Sequence, residues 1–74
     1  MIDVKKLRAL TKDLTVLYAE DEISAQKEIE KTLKIFFKKI IVASDGEEGL
    51  DLYYKHQDEI DLVMSDIQMP KING

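Results

Sequence analysis

Apolar and polar positions follow two different periods along the chain. Three short segments, at 14–19, 40–43 and 61–65, consist mainly of apolar residues, a pattern typical of strands buried in a parallel sheet. Between them, apolar residues recur at helical spacing in 20–38 and 44–57. A strand-helix-strand-helix-strand order predicts an α/β fold with a parallel sheet and right-handed crossovers.

The first helical segment begins among acids and ends among lysines. Glu20, Asp21 and Glu22 stand at its start, and Lys34 and Lys38 lie near its end, a distribution that complements the helix dipole. We interpret the lysines as a solvated helix face rather than a basic binding patch.

The second helical segment has a recognisable start. Ser44 with Glu47, or Asp45 with Glu48, fits a capping box. The sole histidine, His56, lies near the other end of this segment, where a solvated or dipole-complementing role is expected. A single histidine argues against a Ser–His or Cys–His nucleophile.

The first thirteen residues form a separate segment. Val4, Leu7 and Leu10 are spaced by three, which predicts a short amphipathic helix. We favour the interpretation that it packs on its own domain; the alternative is a dimer contact or the end of a linker. The predicted organisation is an N-terminal extension, 1–13, followed by a domain at 14–74.

Composition narrows the class of protein. The chain has 74 residues, no cysteine and a formal net charge of −4. This length allows one domain, and the charge argues weakly against nucleic-acid binding. No apolar run approaches the roughly 20 residues of a membrane span, and the first residues lack the features of a signal peptide. We therefore expect a cytoplasmic protein without a membrane partner.

Acids follow two of the predicted strands. Glu20 and Asp21 come directly after the first apolar run, and Asp66 ends the third. If the first strand is central, these carboxylates meet at one edge of the sheet, where sites form in such folds. Three adjacent carboxylates cannot all ionise cheaply without a cation. Oxygen ligands favour Mg²⁺, or Mn²⁺, over zinc.

Position suggests a role for each acid. Asp66 is placed to act as a nucleophile on phosphorus, while Glu20, through water, and Asp21 are placed to hold the metal. The competing interpretation is helix capping, which suits Asp21 equally well. Capping suits Asp66 less well, because the nearby Met69-Pro70 does not begin an ordinary helix.

Three segments together resemble a known family. They are Leu-Tyr-Ala-Glu-Asp-Glu at 17–22, Ala-Ser-Asp-Gly-Glu-Glu-Gly-Leu at 43–50, and Asp-Leu-Val-Met-Ser-Asp-Ile-Gln-Met-Pro-Lys-Ile-Asn-Gly at 61–74. In order and spacing they are similar to bacterial response-regulator receiver domains. The resemblance implies a flavodoxin-like, doubly wound sheet with strand order 2-1-3, and phosphorylation by a sensor histidine kinase in a two-component phosphorelay.

The resemblance also implies residue roles. The position of Asp66 accepts the phosphoryl group, and Glu20 and Asp21 match the acidic pair that binds Mg²⁺ together with a backbone carbonyl at Gln68. The side chain at Gln68 influences how long the phosphoryl group survives. Pro70 and Gly74 match the loop that shapes the site.

The chain departs from the family pattern in four ways. Glu20 replaces the commoner Asp, Gly49 stands where Ala is usual, and Asn73 stands where Asp is frequent. The family fold also has five strands, and its phosphoryl-contacting Thr or Ser, switch aromatic and lysine are expected beyond Gly74.

Two hypotheses follow. In the first, the chain is a phosphoacceptor module. In the second, it is a truncated, catalytically impaired fragment that self-associates, as a dimer or with swapped segments, through the open apolar edge of its third strand. A phosphatase with an aspartate nucleophile fits less well, because Gln68 stands where its second Asp is expected.

Overall fold

A computed structural model describes residues 3–66 of the chain. Its elements are, in chain order, α1 (Val4–Thr11), β1 (Thr15–Ala19), α2 (Ile23–Phe36), β2 (Lys39–Ala43), α3 (Gly46–His56) and β3 (Leu62–Ser65). The three strands form one sheet in the order β2-β1-β3, and β1 pairs in parallel with both neighbours. The α/β, flavodoxin-like class with strand order 2-1-3 is therefore confirmed, as is the short N-terminal helix.

The core is organised around β1. All five of its residues are buried, and Leu17 and Val16 are the largest fully buried side chains. Because side chains alternate along a strand, β1 contributes to two apolar clusters. One contains Leu17, Ala19, Ile41 and Ala43 with Leu52, Tyr53 and Ile60 packed against them, and the other contains Val16, Tyr18 and Leu33 with Phe37 and Ile40.

The third strand differs from the expectation of a buried strand. Leu62, Val63 and Met64 are 42%, 37% and 37% exposed, although their sequence is as apolar as that of β1. Within residues 3–66, β3 pairs with β1 alone. The prediction of burial was wrong for β3, because an apolar run does not reveal whether other elements cover its faces. The alternative expectation, that the third strand forms an open apolar edge, agrees with this pairing.

The start of α2 also differs from the prediction. The helix begins at Ile23, so the acids at 20–22 precede it, and its N-cap residue Glu22 makes no side-chain capping hydrogen bond. The backbone N–H of Glu20 instead donates to the carbonyl of Ala43 at 3.0 Å. The backbone of Glu20 therefore continues the pairing of β1 with β2, and the helix begins three residues later.

The cap of α3 is formed by one of the two predicted pairs. Asp45 is the N-cap residue, and its Oδ1 accepts from the Glu48 amide at 2.8 Å. The Glu48 carboxylate reaches back and accepts from the Ser44 amide. These bonds fix the loop that follows β2.

Gly49 is buried in the interior of α3. The Gly49→Ala variant should unfold with a free energy higher by about 0.5–1 kcal/mol, because Gly loses more backbone freedom than Ala on entering a helix. Urea denaturation measures the difference. A lower midpoint for the variant would show instead that the added methyl group clashes with β1 or β2.

Helix α1 packs against α2. The Thr11 hydroxyl donates to the backbone carbonyl of Phe36, which satisfies a carbonyl in the last turn of α2. Val4 and Leu10 are nevertheless 57% and 75% exposed. The structure thus places α1 on its own domain while leaving part of its apolar stripe uncovered. Among the described residues, none of the helices has the length and apolar composition that a membrane span requires.

An ion pair and a neighbouring histidine lie at the amino edge of the sheet. Glu59 Oε1 is 2.7 Å from Lys39 Nζ and 3.6 Å from Nδ1 of His56. The hydrogen bond from Lys39 lowers the pKa of Glu59, and this outweighs the opposing effect of partial burial. His56 therefore lies at the end of the sheet opposite the acids that the sequence singled out.

Candidate functional site

The candidate site lies at the carboxyl edge of the sheet. Ala19 of β1 is in register with Ser65 of β3, and the backbone N–H of Asp66 donates to the carbonyl of Ala19 at 3.1 Å. Glu20 and Asp66 are thus the first residues beyond two neighbouring parallel strands. The structure brings their backbones side by side, as a central β1 requires.

Glu20 is the buried acid of this edge, at 5% exposed. Its Oε1 accepts a hydrogen bond from the Tyr18 hydroxyl at 3.4 Å, and its Oε2 accepts from the Glu22 amide at 3.2 Å. Both carboxylate oxygens therefore have a protein donor, which fixes the orientation of the side chain.

The electrostatic surroundings of Glu20 oppose its negative charge. The Glu22 amide lowers the pKa of Glu20, but burial and the carboxyl groups of Asp66 and Asp21 outweigh it, so the pKa of Glu20 is raised above its usual value. A bound cation would relieve this repulsion, because it favours the ionised form of every neighbouring carboxylate.

Asp21 and Asp66 are the accessible acids of the edge, and both are exposed to solvent. Asp66 also lines a pocket of about 270 Å³, together with Tyr18, Ile29, Met64 and Ser65. The walls of the pocket are largely apolar side chains from β1, α2 and β3. A group approaching Asp66 therefore has open access on one side and a packed surface on the other.

The donor set is of the type that Mg²⁺ prefers. Glu20, Asp21 and Asp66 supply carboxylate oxygens, and Mg²⁺ commonly takes one or two carboxylates and completes its shell with water. Within residues 3–66, no three His, Cys, Asp or Glu side chains are arranged so that they could hold one metal ion. Gln68, whose carbonyl the resemblance assigns to the metal, lies outside the described residues.

Two polar residues of the site were missed by sequence reasoning. Gln26 is 8% exposed, and its Nε2 donates to the carbonyl of Glu20 at 3.0 Å. Tyr18 was assigned only to the first strand, although its hydroxyl contacts Glu20. The available signals were a Gln seven residues before Leu33, on the buried face of a helix, and a Tyr two residues before an acid, on the same face of a strand.

Comparison with known proteins finds relatives that match most of the chain. The chain is 44% identical over 59 residues to the probable transcriptional regulator ycf27 of Guillardia theta, which covers 80% of the chain and 22% of the relative. It is 37% identical over 59 residues to the transcriptional regulatory protein CpxR of Escherichia coli K12, covering 80% and 24%. The chemotaxis protein CheV2 of Helicobacter pylori matches at 29% over 75 residues, 99% of the chain and 24% of the relative.

These relatives are response regulators. The chain belongs to the response-regulator receiver family. As a receiver sequence it spans about a quarter of the length of the curated relatives it matches. No family model matches the chain, and no solved structure matches it. The homology supports a receiver module of two-component signalling.

In this receiver, ionisation of Tyr18 should lower the free energy of unfolding at alkaline pH. Burial, then the Glu20 carboxylate and its hydrogen bond, then Asp66, raise the pKa of Tyr18 above 10.0. The folded protein therefore holds the Tyr18 proton more tightly than the unfolded chain does. The resulting stability is fully present below pH 10 and is lost as the pH rises through the pKa of the folded state. Urea unfolding of the wild type should therefore weaken more steeply above pH 10 than that of Tyr18→Phe. Parallel curves for the two proteins would contradict this prediction.

Proposed function

We propose that this receiver accepts a phosphoryl group on Asp66 from a sensor histidine kinase, with Mg²⁺ as the cofactor. The observation that supports the proposal best is the pairing of Asp66 with Glu20 at the carboxyl edge of β3 and β1. One acid of this pair is exposed and lines a pocket, while the other is buried and held by hydrogen bonds. An accessible carboxylate nucleophile beside a second, fixed carboxylate suits metal-assisted phosphoryl transfer.

The transfer is a displacement at phosphorus. An oxygen of the ionised Asp66 carboxylate forms the new bond, the bond between phosphorus and the kinase histidine nitrogen breaks, and the nitrogen keeps the electron pair and takes up a proton. The product is an acyl phosphate on Asp66. Asp66 is exposed, so a donor can reach its carboxylate, and the hydrogen bond from its backbone N–H to the Ala19 carbonyl holds its main chain at the sheet edge.

Asp21 and Asp66 would hold Mg²⁺ directly, with Glu20 acting through water and the carbonyl of Gln68 as the further ligand that the resemblance implies. When bound, Mg²⁺ would offset the negative charge that gathers between the carboxylates and the phosphoryl group. The protein contributes the fixed orientation of Glu20, whose two carboxylate oxygens are held by the Tyr18 hydroxyl and the Glu22 amide.

Phosphorylation by a small donor tests the proposal without the kinase. The chain is incubated with Mg²⁺ and acetyl phosphate or phosphoramidate, and intact-mass measurement should show the gain of one phosphoryl group that is stable in acid and labile in base. Peptide mapping should place it on Asp66, and a chelator should prevent it. Absence of the gain at any donor concentration would overturn phosphoacceptance by this chain.

A second function is favoured by the exposure of β3. Leu62, Val63 and Met64 are more than one-third exposed, and β3 has no charged residue, whereas β2, at the other edge, begins with the ion-paired Lys39. Uncharged, exposed edge strands pair readily with other strands. We propose that a second copy of the chain pairs its β3 antiparallel to this one, which joins two sheets across a two-fold axis.

Sedimentation of Val63→Lys tests this contact. The wild type should sediment as a dimer at micromolar concentration, and a lysine on β3 should give a folded monomer. The matched control is Val4→Lys, which places the same charge on an exposed apolar residue of α1 and should leave the dimer intact. A monomeric wild type, or a dimer broken by Val4→Lys alone, would contradict the β3 contact.

A further inference from the structure

We infer that Tyr18 and Gln26 are positioning residues that set the orientation of Glu20 at the candidate site. Neither is a metal ligand in the arrangement proposed above, and their role rests on that proposed Mg²⁺-dependent function. Each contacts a different part of Glu20: Gln26 its backbone carbonyl and Tyr18 its carboxylate.

Gln26 links three parts of the carboxyl edge. Its Nε2 lies 3.0 Å from the Glu20 carbonyl, 3.4 Å from the Ala43 carbonyl and 3.3 Å from Oγ of Ser44. An amide nitrogen has two hydrogens to donate, so both are engaged and one is shared. One side chain of α2 thereby ties the loop after β1 to the end of β2 and the loop that follows it.

The burial of Gln26 makes this link rigid. At 8% exposed, its amide has little opportunity to exchange protein acceptors for water, and a buried donor without a partner is costly. The Ala43 carbonyl also accepts from the Glu20 amide. Glu20 is therefore tied to β2 by its own N–H, and its carbonyl is tied to the same strand through Gln26.

Tyr18 acts on the side chain of Glu20. The two residues lie on the same face of the chain at the end of β1, and the Tyr18 hydroxyl, inside a side chain that is 4% exposed, donates to Oε1. The distance of 3.4 Å is at the long end for a hydroxyl donor, so its individual effect is moderate. With the Glu22 amide on Oε2, the carboxylate is held at both oxygens.

These contacts matter because groups behind metal ligands tune metal binding. Outer partners that orient ligands typically change metal affinity by about 10–100-fold when removed. A Glu20 that acts through water is less sensitive than a direct ligand, and the Tyr18 bond is long. We therefore expect a weakening of Mg²⁺ binding of about 3–10-fold for each substitution, at the lower end of that range or below it.

The experiment compares Tyr18→Phe and Gln26→Met with two matched controls. Tyr53→Phe removes a hydroxyl from α3, and Gln57→Met removes the same amide from an exposed position after α3. Calorimetry gives the Mg²⁺ dissociation constant of the unphosphorylated chain, and hydrogen exchange measured by NMR gives the protection of the Glu22 amide. Both site variants should bind Mg²⁺ more weakly and exchange the Glu22 amide faster, while both controls match the wild type.

The results separate the inference about Tyr18 and Gln26 from the proposed function. Wild-type Mg²⁺ affinity and Glu22 protection in Tyr18→Phe and Gln26→Met would overturn the inference, as would equal losses in the controls. If Gln26→Met does not fold, Tyr18→Phe carries the test alone, because it removes one oxygen from a packed ring. A wild type without Mg²⁺ binding would overturn the proposed function, and the protection of the Glu22 amide would then decide whether the two residues hold this loop.

Discussion

The Asp66→Asn variant should incorporate no phosphoryl group above background from acetyl phosphate and Mg²⁺, under conditions that label the wild type. The amide of Asn lacks the anionic oxygen that attacks phosphorus, and its neutral oxygen is a far weaker nucleophile. The loss should be one of chemistry and not of folding, because Asp66 is exposed and its charge raises the pKa of Glu20. Removing that charge relieves repulsion at the edge.

The matched control is Asp58→Asn, which removes one carboxylate from an exposed residue after α3. Intact mass, base lability and urea midpoint are measured for both variants. Asp58→Asn should label like the wild type, and Asp66→Asn should unfold at a midpoint no lower than the wild type. Full labelling of Asp66→Asn would identify another acceptor, with Asp21 the next accessible acid of the edge.

The Leu17→Ala variant should lose about 2–5 kcal/mol of unfolding free energy, the range measured for buried Leu in packed cores. Leu17 has no exposed surface and lies in the centre of β1, packed between Ile41 and α3. A chain of 74 residues has a total stability of only about 4–11 kcal/mol on a per-residue scale. One truncation should therefore remove a large share of it.

Urea denaturation at neutral pH measures this effect. Leu10→Ala is the matched control, because Leu10 is 75% exposed and substitutions at such surface positions usually change stability by less than about 0.5 kcal/mol. If Leu17→Ala unfolded at the wild-type midpoint, the central position of β1 in the core would be wrong.

The sequence predicted the fold correctly where burial of an element produces a recognisable run of apolar residues. β1 is covered on both faces and flanked by strands, and its residues 16–19 form the continuous apolar run that is typical of a parallel sheet. β3 also begins with a run of three apolar residues but is exposed, because nothing in so short a run records which elements cover the strand. The start of α2 was misplaced for a related reason: the backbone of Glu20 pairs with Ala43, a partner far away in sequence.

The position of the candidate acids could be predicted from the sequence. Glu20, Asp21 and Asp66 lie just beyond apolar runs, and the end of a strand is a position that can be recognised locally; their role at a site stays a prediction. Gln26 could not be found in this way. Two of its acceptors, Ala43 and Ser44, lie seventeen and eighteen residues away, and only the folded sheet brings them within reach.

The central position of β1 also has a consequence for synthesis of the chain. Both strands that flank β1 follow it in the sequence, and Val16 must wait for its partner Leu62, 46 residues later. At translation rates of about 5–20 residues per second, that interval lasts roughly 2–9 s. During it, β1 can pair with β2 once residues 39–43 have been made, but the edge of β1 that will pair with β3 has no partner strand. Nascent-chain crosslinking should therefore detect chaperone contacts at β1 that end when β3 emerges.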